Sequence, residues 1–277
     1  SKLFAEMIVR EHASQSLAGD VIVVGRQLIA IKPDEAVSFV RAAGVEPADV
    51  GELELDTDTR GSHGDSITDR AFLRLLGLEK FRALDVTDYE KADIIHDLSD
   101  PLPAHLLGAA DVVIDGGTLD NVFNPAQAII SLAGLLRHGG RLFLCNVGSN
   151  HYGPYTILTP LWFYDYFVGN GFSRVLVYAS VRVGDGRNVF VVEPQNVSFT
   201  TANLLSPHET FLFVLDERGP AAPEHHTPVQ HQYRPPDADL RHRRNIALTL
   251  GGRAADLVRS DCEQFMDAPP GYRFVPQ

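Results

Sequence analysis

Three aspartates stand where short stretches of the sequence, each predicted to be a strand, come to an end. They are Asp85, Asp97 and Asp115. In an open α/β sheet, ligands bind beyond the carboxyl ends of the strands, where a carboxylate can accept hydrogen bonds from hydroxyl or amine groups. The alternative is that each aspartate only caps a helix or a turn. Because all three stand at consecutive strand ends, we interpret them as parts of one ligand site.

A second group of reactive side chains lies further along, in residues 146–155 (NVGSNHYGPY). This segment follows a predicted strand and is expected to form a loop over the ligand cleft. Histidine titrates near neutral pH, so His151 is the candidate general base. Tyr152 and Tyr155 are the candidate orienting groups. A histidine held only by local hydrogen bonds in an ordered loop is the competing interpretation.

The elements that would position these groups alternate between strands and helices. Strands are predicted, in chain order, at residues 21–24, 81–86, 92–96, 111–115, 141–146, 173–180 and 188–193. Helices are predicted between the earlier strands, at residues 33–43, 125–137 and 160–168, and after residues 66–69, with apolar positions at 72, 73, 75 and 76. An Asp-Gly pair between the last two strands favours a hairpin. Strand–helix alternation implies a parallel sheet covered on both faces.

The predicted fold is a three-layer, Rossmann-like α/β sheet of about seven strands, mostly parallel, with an antiparallel hairpin strand at its end. Residues 1–195 are expected to form this domain. Beyond it the pattern weakens: residues 211–215 are a further candidate strand, 219–236 a loop rich in proline and histidine, and 240–259 a candidate helix. Residues 196–277 are therefore expected to be a carboxy-terminal extension that packs on or caps the core.

The composition argues against several function classes. A net charge of −12 disfavours broad binding to nucleic acid or to an anionic membrane, because both need a basic surface. No apolar run is long enough to span a membrane, and residues 1–4 do not open a secretory signal. The two cysteines, Cys145 and Cys262, make no disulfide framework, so a cytoplasmic location is expected. The histidine-rich segment 224–231 lacks the spacing of a zinc site, and no metal is expected.

In this order of elements, three segments resemble those of the class I S-adenosylmethionine-dependent methyltransferases. Residues 83–87 (ALDVT) resemble the second strand of that family with its terminal acidic residue. Residues 111–124 (DVVIDGGTLDNVFN) resemble the fourth strand and its following loop. Residues 135–142 (LLRHGGRL) resemble the helix-to-strand step usually written Leu-Lys-Pro-Gly-Gly. The resemblance covers residues 21–194 and rests on the order and spacing of motifs that are each short.

The resemblance implies S-adenosylmethionine as the cofactor and assigns strand-end residues to its nucleoside half. Asp85 is expected to accept hydrogen bonds from both ribose hydroxyls, with Asp88 as a nearby alternative. Asp97 and Leu98 are expected at the adenine, as a carboxylate for the exocyclic amine and an apolar wall. These roles are what membership of the family would imply for the matching positions.

The same resemblance assigns Asp115-Gly116-Gly117 to a close approach between backbone and cofactor, because glycine has no side chain to obstruct it. The loop after the first strand departs from the family, since its glycine-rich motif is reduced here to Gly25. Two explanations stay open. Arg26 or Gln27 reaches the carboxylate of the cofactor, or this end of the site has been lost.

The expected function is methyl transfer from S-adenosylmethionine to a small-molecule acceptor, for example in specialised metabolism. A second hypothesis keeps the cofactor but changes the reaction to aminocarboxypropyl transfer, elimination or cyclisation. A third is a methyltransferase-fold binding subunit without turnover. The expected partner is the small-molecule acceptor alone, with neither nucleic acid nor membrane, and a homodimer is left open.

Overall fold

The computed structural model describes residues 1–149, 153–183, 186–192, 209–219, 225–230, 233–249 and 272–274. Within them the chain divides into two compact units. The first comprises Ser1–Thr118 and Ala126–Phe143, and the second comprises Leu119–Pro125 and Leu144–Gln277. Among the described residues, no helix is both long and apolar enough to cross a membrane.

The first unit carries most of the parallel strands and four helices. Its elements are α1 (Lys2–Ser14), β1 (Asp20–Val24), α2 (Pro33–Ala42), α3 (Asp69–Leu75), β2 (Lys80–Asp85), β3 (Ile94–Ile95), β4 (Ala110–Asp115), α4 (Pro125–Leu135) and the first part of β5 (Leu136–Val147). The strand order is β3-β2-β1-β4-β5. β1 pairs in parallel with β2 and β4, and β2 pairs in parallel with β3. The chain therefore extends the sheet in one direction from β1 to β3 and in the other from β4 to β5.

The register of this unit brings three strand ends level with one another. Val24, the last residue of β1, lies between Leu84 on β2 and Asp115 on β4. The apolar side chains of β1, Val21 and its neighbours through Val24, are at most 1% exposed. Burial on both faces explains why this strand is a continuous apolar run. The point at which the strand order reverses, between β1 and β4, is where ligands bind in open α/β sheets.

The second unit is built on antiparallel pairs. It contains the end of β5, α5 (Pro160–Gly169), β6 (Phe172–Val183), β7 (Gly186–Val192), β8 (Thr210–Arg218), α6 (Pro236–Thr249) and β9 (Tyr272–Phe274), in the strand order β5-β8-β6-β7-β9. β6 pairs antiparallel with both β7 and β8, and β7 pairs antiparallel with β9. The predicted β6–β7 hairpin is confirmed.

The Rossmann-like α/β class is confirmed by the parallel strands, their order and the helices between them. Among the described residues the mixed sheet has nine strands, against about seven predicted; the two further strands are β8, which includes the candidate strand at residues 211–215, and β9. The predicted domain boundary at residue 195 stays a prediction. The sequence prediction missed α1, although Ser1 accepts a hydrogen bond from the backbone N–H of Phe4 as its N-cap, and Phe4 and Ile8 recur at helical spacing.

Candidate functional site

Asp85 is the aspartate best placed to meet a ligand at the strand ends of the first unit. It is the last residue of β2 and is half-buried. Its Oδ1 accepts hydrogen bonds from the backbone N–H groups of Val86, at 2.6 Å, and Thr87, at 3.3 Å. Its Oδ2 has no hydrogen-bond partner among the described residues and lies 3.8 Å from the point where a Cβ of Gly25 would stand. One carboxylate oxygen is thus available beside the end of β1.

Gly25 makes that arrangement possible. Its φ of +62° lies in the left-handed region that disfavours side chains, and its N–H donates to the carbonyl of Leu84 at 2.8 Å. A Cβ at this position would also stand 3.0 Å from the Oγ1 of Thr118. The backbone therefore turns sharply here and leaves no side chain between Asp85 and the end of β1.

Asp115 shapes a turn. The side chain is fully buried, and its Oδ1 accepts hydrogen bonds from the N–H groups of Gly117, at 3.0 Å, and Thr118, at 2.6 Å. Gly117 has a φ of +129°, which only glycine adopts readily. Thr118 in turn donates its hydroxyl to the carbonyl of Val24 at 3.1 Å. The aspartate thus fixes the loop after β4 against the end of β1.

Gln27 fills the space that Gly116 leaves open. Its Nε2 donates to the carbonyls of Val24 and Gly25, each at 3.0 Å. Its Oε1 lies only 1.7 Å from the point where a Cβ of Gly116 would stand, so any side chain at that glycine would collide with it. The structure thus places a glutamine of the same chain against Gly116, and the predicted approach of a cofactor there stays a prediction.

Arg26 is held by a residue that the sequence prediction did not select, Asp69 at the start of α3. The guanidinium donates to both carboxylate oxygens, with Nε to Oδ2 at 2.9 Å and the NH2 nitrogen to Oδ1 at 2.7 Å, and both side chains are at least nine-tenths buried. Asp69 also accepts the backbone N–H of Gln27 at 3.0 Å. Burial alone would lower the pKa of Arg26, but its hydrogen bonds to Asp69 and the charge of that carboxylate raise the pKa overall. The positive charge expected to meet the cofactor carboxylate is therefore neutralised within the protein.

A small apolar cavity lies behind the Gln27 loop. Its volume is about 20 Å³, and its lining includes Phe4, Ile8, Val23 and Phe72. That volume holds about one water molecule. The cavity is too small for a nucleotide.

The other predicted nucleoside contacts lie on the loops after β2 and β3. Asp97 is exposed, and its Oδ1 accepts the backbone N–H of Ser99 at 2.8 Å. Leu98 is buried, with 4% of its surface exposed. Asp88 is exposed and accepts the N–H of Lys91 only through its backbone carbonyl, at 2.9 Å. The carboxylates of Asp88 and Asp97 thus face solvent, whereas that of Asp85 lies at the sheet edge itself.

The candidate base and one of its orienting tyrosines, His151 and Tyr152, lie outside the described residues. Tyr155 belongs to the second unit, where its ring is 72% exposed and meets Phe123 edge to face at 5.8 Å. Its backbone N–H donates to the carbonyl of Asp120 at 3.0 Å. Tyr155 is therefore fixed through its backbone, while its phenol faces solvent.

Asp120 is a second residue that sequence reasoning passed over. It is 1% exposed, and its Oδ2 accepts the N–H of Val147 at 2.8 Å. Its carbonyl accepts the N–H groups of Tyr155 and Thr156, at 3.0 and 3.1 Å. One aspartate thus ties the loop after β4 to the loop after β5 within the second unit. An acidic residue in a glycine-flanked loop was the available signal, but the pattern does not reveal its partners.

The possible metal ligands are scattered. In the part of the chain that the structure describes, no three His, Cys, Asp or Glu side chains are arranged to hold a metal ion. His225 and His226 are exposed, and Glu224, His231 and Cys262 lie outside the described residues. Cys145 is buried and forms no disulfide bond.

No protein-family model and no curated protein matches the sequence. The fold is similar to several solved structures. These include a SAM-dependent methyltransferase from Thermotoga maritima, 14% identical over 78% of this chain and 92% of that one, with a TM-score of 0.36. The YcgJ protein from Bacillus subtilis is 9% identical over 78% of this chain and 98% of that one, with a TM-score of 0.39. DhpI in complex with SAH is 13% identical over 79% of this chain and 98% of that one, with a TM-score of 0.35. Because these TM-scores are low, the fold class rests on the strand order and register described above.

The residues present fit the two halves of S-adenosylmethionine unequally. The free Oδ2 of Asp85 beside Gly25 suits a pair of ribose hydroxyls, because a carboxylate oxygen accepts hydrogen bonds and no Cβ intervenes. Arg26 is paired with Asp69, and Gln27 lies against Gly116 at the end of β4. Asp85 therefore offers an acceptor that suits a nucleoside, whereas Arg26 and Gln27 already bond to groups of the same chain.

Proposed function

We propose that the chain binds S-adenosylmethionine through its nucleoside half and transfers the methyl group to a small-molecule acceptor. The observation that carries the proposal is the free Oδ2 of Asp85 at the joined ends of β2 and β1, beside Gly25. That position adjoins the point at which the strand order reverses. Asp97 and Leu98, after β3, are proposed to meet the adenine.

The chain's own residues bind and align, while the cofactor supplies a methyl group on a positively charged sulfur. Transfer then requires that the acceptor nucleophile, the methyl carbon and the leaving sulfur lie in line. His151 is proposed to take a proton from acceptors that must lose one, and Tyr152 and Tyr155 to orient the acceptor. The acceptor, a cytoplasmic location and a homodimer stay predictions from the sequence.

Two conservative substitutions test the proposed ribose contact at Asp85 against the alternative contact at Asp88. Asp85→Asn replaces the free acceptor oxygen by an amide and is expected to weaken binding of S-adenosylhomocysteine about 10- to 100-fold, because hydrogen bonds to a charged group contribute about 1.5–3 kcal/mol. Asp88→Asn changes an exposed carboxylate and is the matched control, with little expected effect. Isothermal titration calorimetry measures both. A larger loss in Asp88→Asn would move the ribose contact to Asp88, and no binding by the unaltered protein would reject the proposed function.

A second candidate function is a binding subunit that keeps the fold without turnover. The ion pair between Arg26 and Asp69 favours it, because the guanidinium cannot meet an anionic ligand group while both are buried together. The two functions differ in product. Formation of S-adenosylhomocysteine in proportion to added acceptor, by the purified protein alone, would reject the binding subunit. Cofactor binding without any product would favour it.

A further inference from the structure

We propose that Gln27 is a specificity-determining residue that blocks the crevice between the ends of β1 and β4 and must turn away before any group beyond the ribose can enter. The inference rests on the proposed function and concerns the same site. It explains what the reduced glycine motif does: the position two residues after Gly25 carries a side chain that folds back across the crevice.

The contacts of Gln27 span the two strand ends. Its Nε2 donates to Val24 and Gly25, the last residue of β1 and the first beyond it, each at 3.0 Å. Its Oε1 occupies the place of a side chain at Gly116, the first residue beyond β4. Val24 and Asp115 are direct partners in the register, so the glutamine bridges neighbouring strand ends.

The strand order indicates which part of a ligand this side chain opposes. Asp85 ends β2, and the next strands in order are β1 and β4. Neighbouring strands are about 4.8 Å apart, so a ligand held by its ribose at Asp85 and extending past β1 reaches the β1–β4 crevice within about 10 Å. The crevice is thus the path for the substituent on the ribose, and the nucleoside itself does not need it.

The hydrogen bonds of Gln27 are local, which makes it displaceable. Both acceptors of its amide are backbone carbonyls that stay in place when the side chain leaves, and Val24 keeps a second donor in the Thr118 hydroxyl at 3.1 Å. The backbone of residue 27 is fixed separately, because its N–H donates to Asp69 at 3.0 Å. A substitution that removes only the side chain therefore leaves the loop anchored.

The test compares ligands of increasing length in the full chain. Adenosine, methylthioadenosine and S-adenosylhomocysteine are titrated by calorimetry into the unaltered protein, Gln27→Ala and the matched control Gln15→Ala, which removes an exposed glutamine. We expect Gln27→Ala to bind S-adenosylhomocysteine about tenfold more tightly, or about 1.4 kcal/mol, because two hydrogen bonds no longer have to break. Its affinity for adenosine should stay unchanged, and Gln15→Ala should match the unaltered protein with all three ligands.

The possible outcomes separate this inference from the proposed function. If adenosine binds but Gln27→Ala leaves the affinity for S-adenosylhomocysteine unchanged, the inference is wrong and the proposed function stands. A weaker affinity would make Gln27 a direct contact to the ligand and would also overturn the inference. If no ligand binds either protein, the proposed function fails and the inference fails with it. Gln27→Met, which keeps the length of the side chain but has no amide donor, provides the same comparison if the alanine variant does not fold.

Discussion

Asp69 in the first unit and Asp216 in the second are the same residue type, buried to nearly the same extent, in opposite surroundings. They are 2% and 3% exposed. Asp69 accepts hydrogen bonds from the guanidinium of Arg26 and from the backbone N–H of Gln27. Asp216, on β8, has no hydrogen-bond partner for either carboxylate oxygen among the described residues. Burial alone therefore does not define the state of a carboxyl group; its partners do.

The consequence appears in the charge of the two residues. The ion pair of Asp69 compensates its negative charge within the protein. Burial without a partner raises the pKa of Asp216 well above its ordinary value, so its neutral form is favoured in the folded state. Burial also raises the pKa of Tyr166 of α5, against a smaller lowering by the positive charge of Arg218. The first unit thus pairs its buried aspartate with a buried arginine beside the candidate site, whereas the buried aspartate of the second unit has a raised pKa and no such partner among the described residues.

The largest expected effect comes from removing Asp69, the buried partner of Arg26. Asp69→Ala leaves the guanidinium of Arg26 buried without its partner and should lower the free energy of unfolding by about 3–5 kcal/mol. Urea denaturation followed by circular dichroism measures the loss. The control is Asp58→Ala, which removes an exposed pair with Lys91 and should change stability very little. Equal losses in the two variants would show that the buried network does not stabilise the first unit.

The second prediction removes the uncompensated acid. Because the pKa of Asp216 is raised on folding, the folded state binds more protons than the unfolded state, and stability falls as pH rises above the ordinary pKa of an aspartate. Asp216→Asn cannot ionise, so it should match the unaltered protein near pH 4 and exceed it in stability at pH 8. Urea midpoints at the two pH values measure the difference.

The control for that experiment is Asp100→Asn, whose side chain is exposed and should leave the difference between the two pH values unchanged. If Asp216→Asn keeps the pH dependence of the unaltered protein, then Asp216 is charged in the folded state. Asp69 and Asp216 would then differ in their hydrogen-bond partners but not in their charge.

The smallest predicted effect concerns the closure of the crevice in the first unit. Gly116→Ala should force Gln27 away from its two carbonyls and lower stability by about 1–2 kcal/mol, but it should cost about 1 kcal/mol less when Gln27 is already alanine. A double-mutant cycle in urea measures this coupling. Gly169→Ala, where a Cβ meets nothing within 4 Å, is the control for a glycine-to-alanine change. Coupling near zero would show that Gln27 does not occupy the crevice in solution.

The sequence predicted the strand ends well because burial of a parallel sheet dictates local composition. Residues 21–24 were predicted as a strand and form β1 (Asp20–Val24). Residues 111–115 were predicted and form β4 (Ala110–Asp115). Asp85 was placed at a strand end and is the last residue of β2. An apolar run that stops at an acid is visible in one dimension, since both the burial and its end are properties of adjacent residues.

The contacts of each side chain could not be predicted in the same way. Asp115 was expected at the cofactor, and the structure shows its carboxylate accepting two backbone N–H groups of its own turn. Residues 211–215 were a candidate strand and lie within β8, but the sequence did not show that β8 pairs with β6 along nine residues. Strand pairing and turn geometry depend on contacts between segments that are distant in the sequence. The same local pattern is compatible with several different strand pairings.

The sequence by itself determined the α/β class, the order of the parallel strands along the chain and the row of acids at their ends, because periodicity and composition are local consequences of burial. Only the tertiary structure decided that Arg26 forms its ion pair with Asp69, 43 residues away in the sequence. It also decided that Gln27 spans from β1 to Gly116, and that the Oδ2 of Asp85 lies beside Gly25 at the end of β1. Hydrogen bonds and ion pairs act over only a few ångströms. Residues that are far apart in the sequence can therefore pair only where the fold brings them close together.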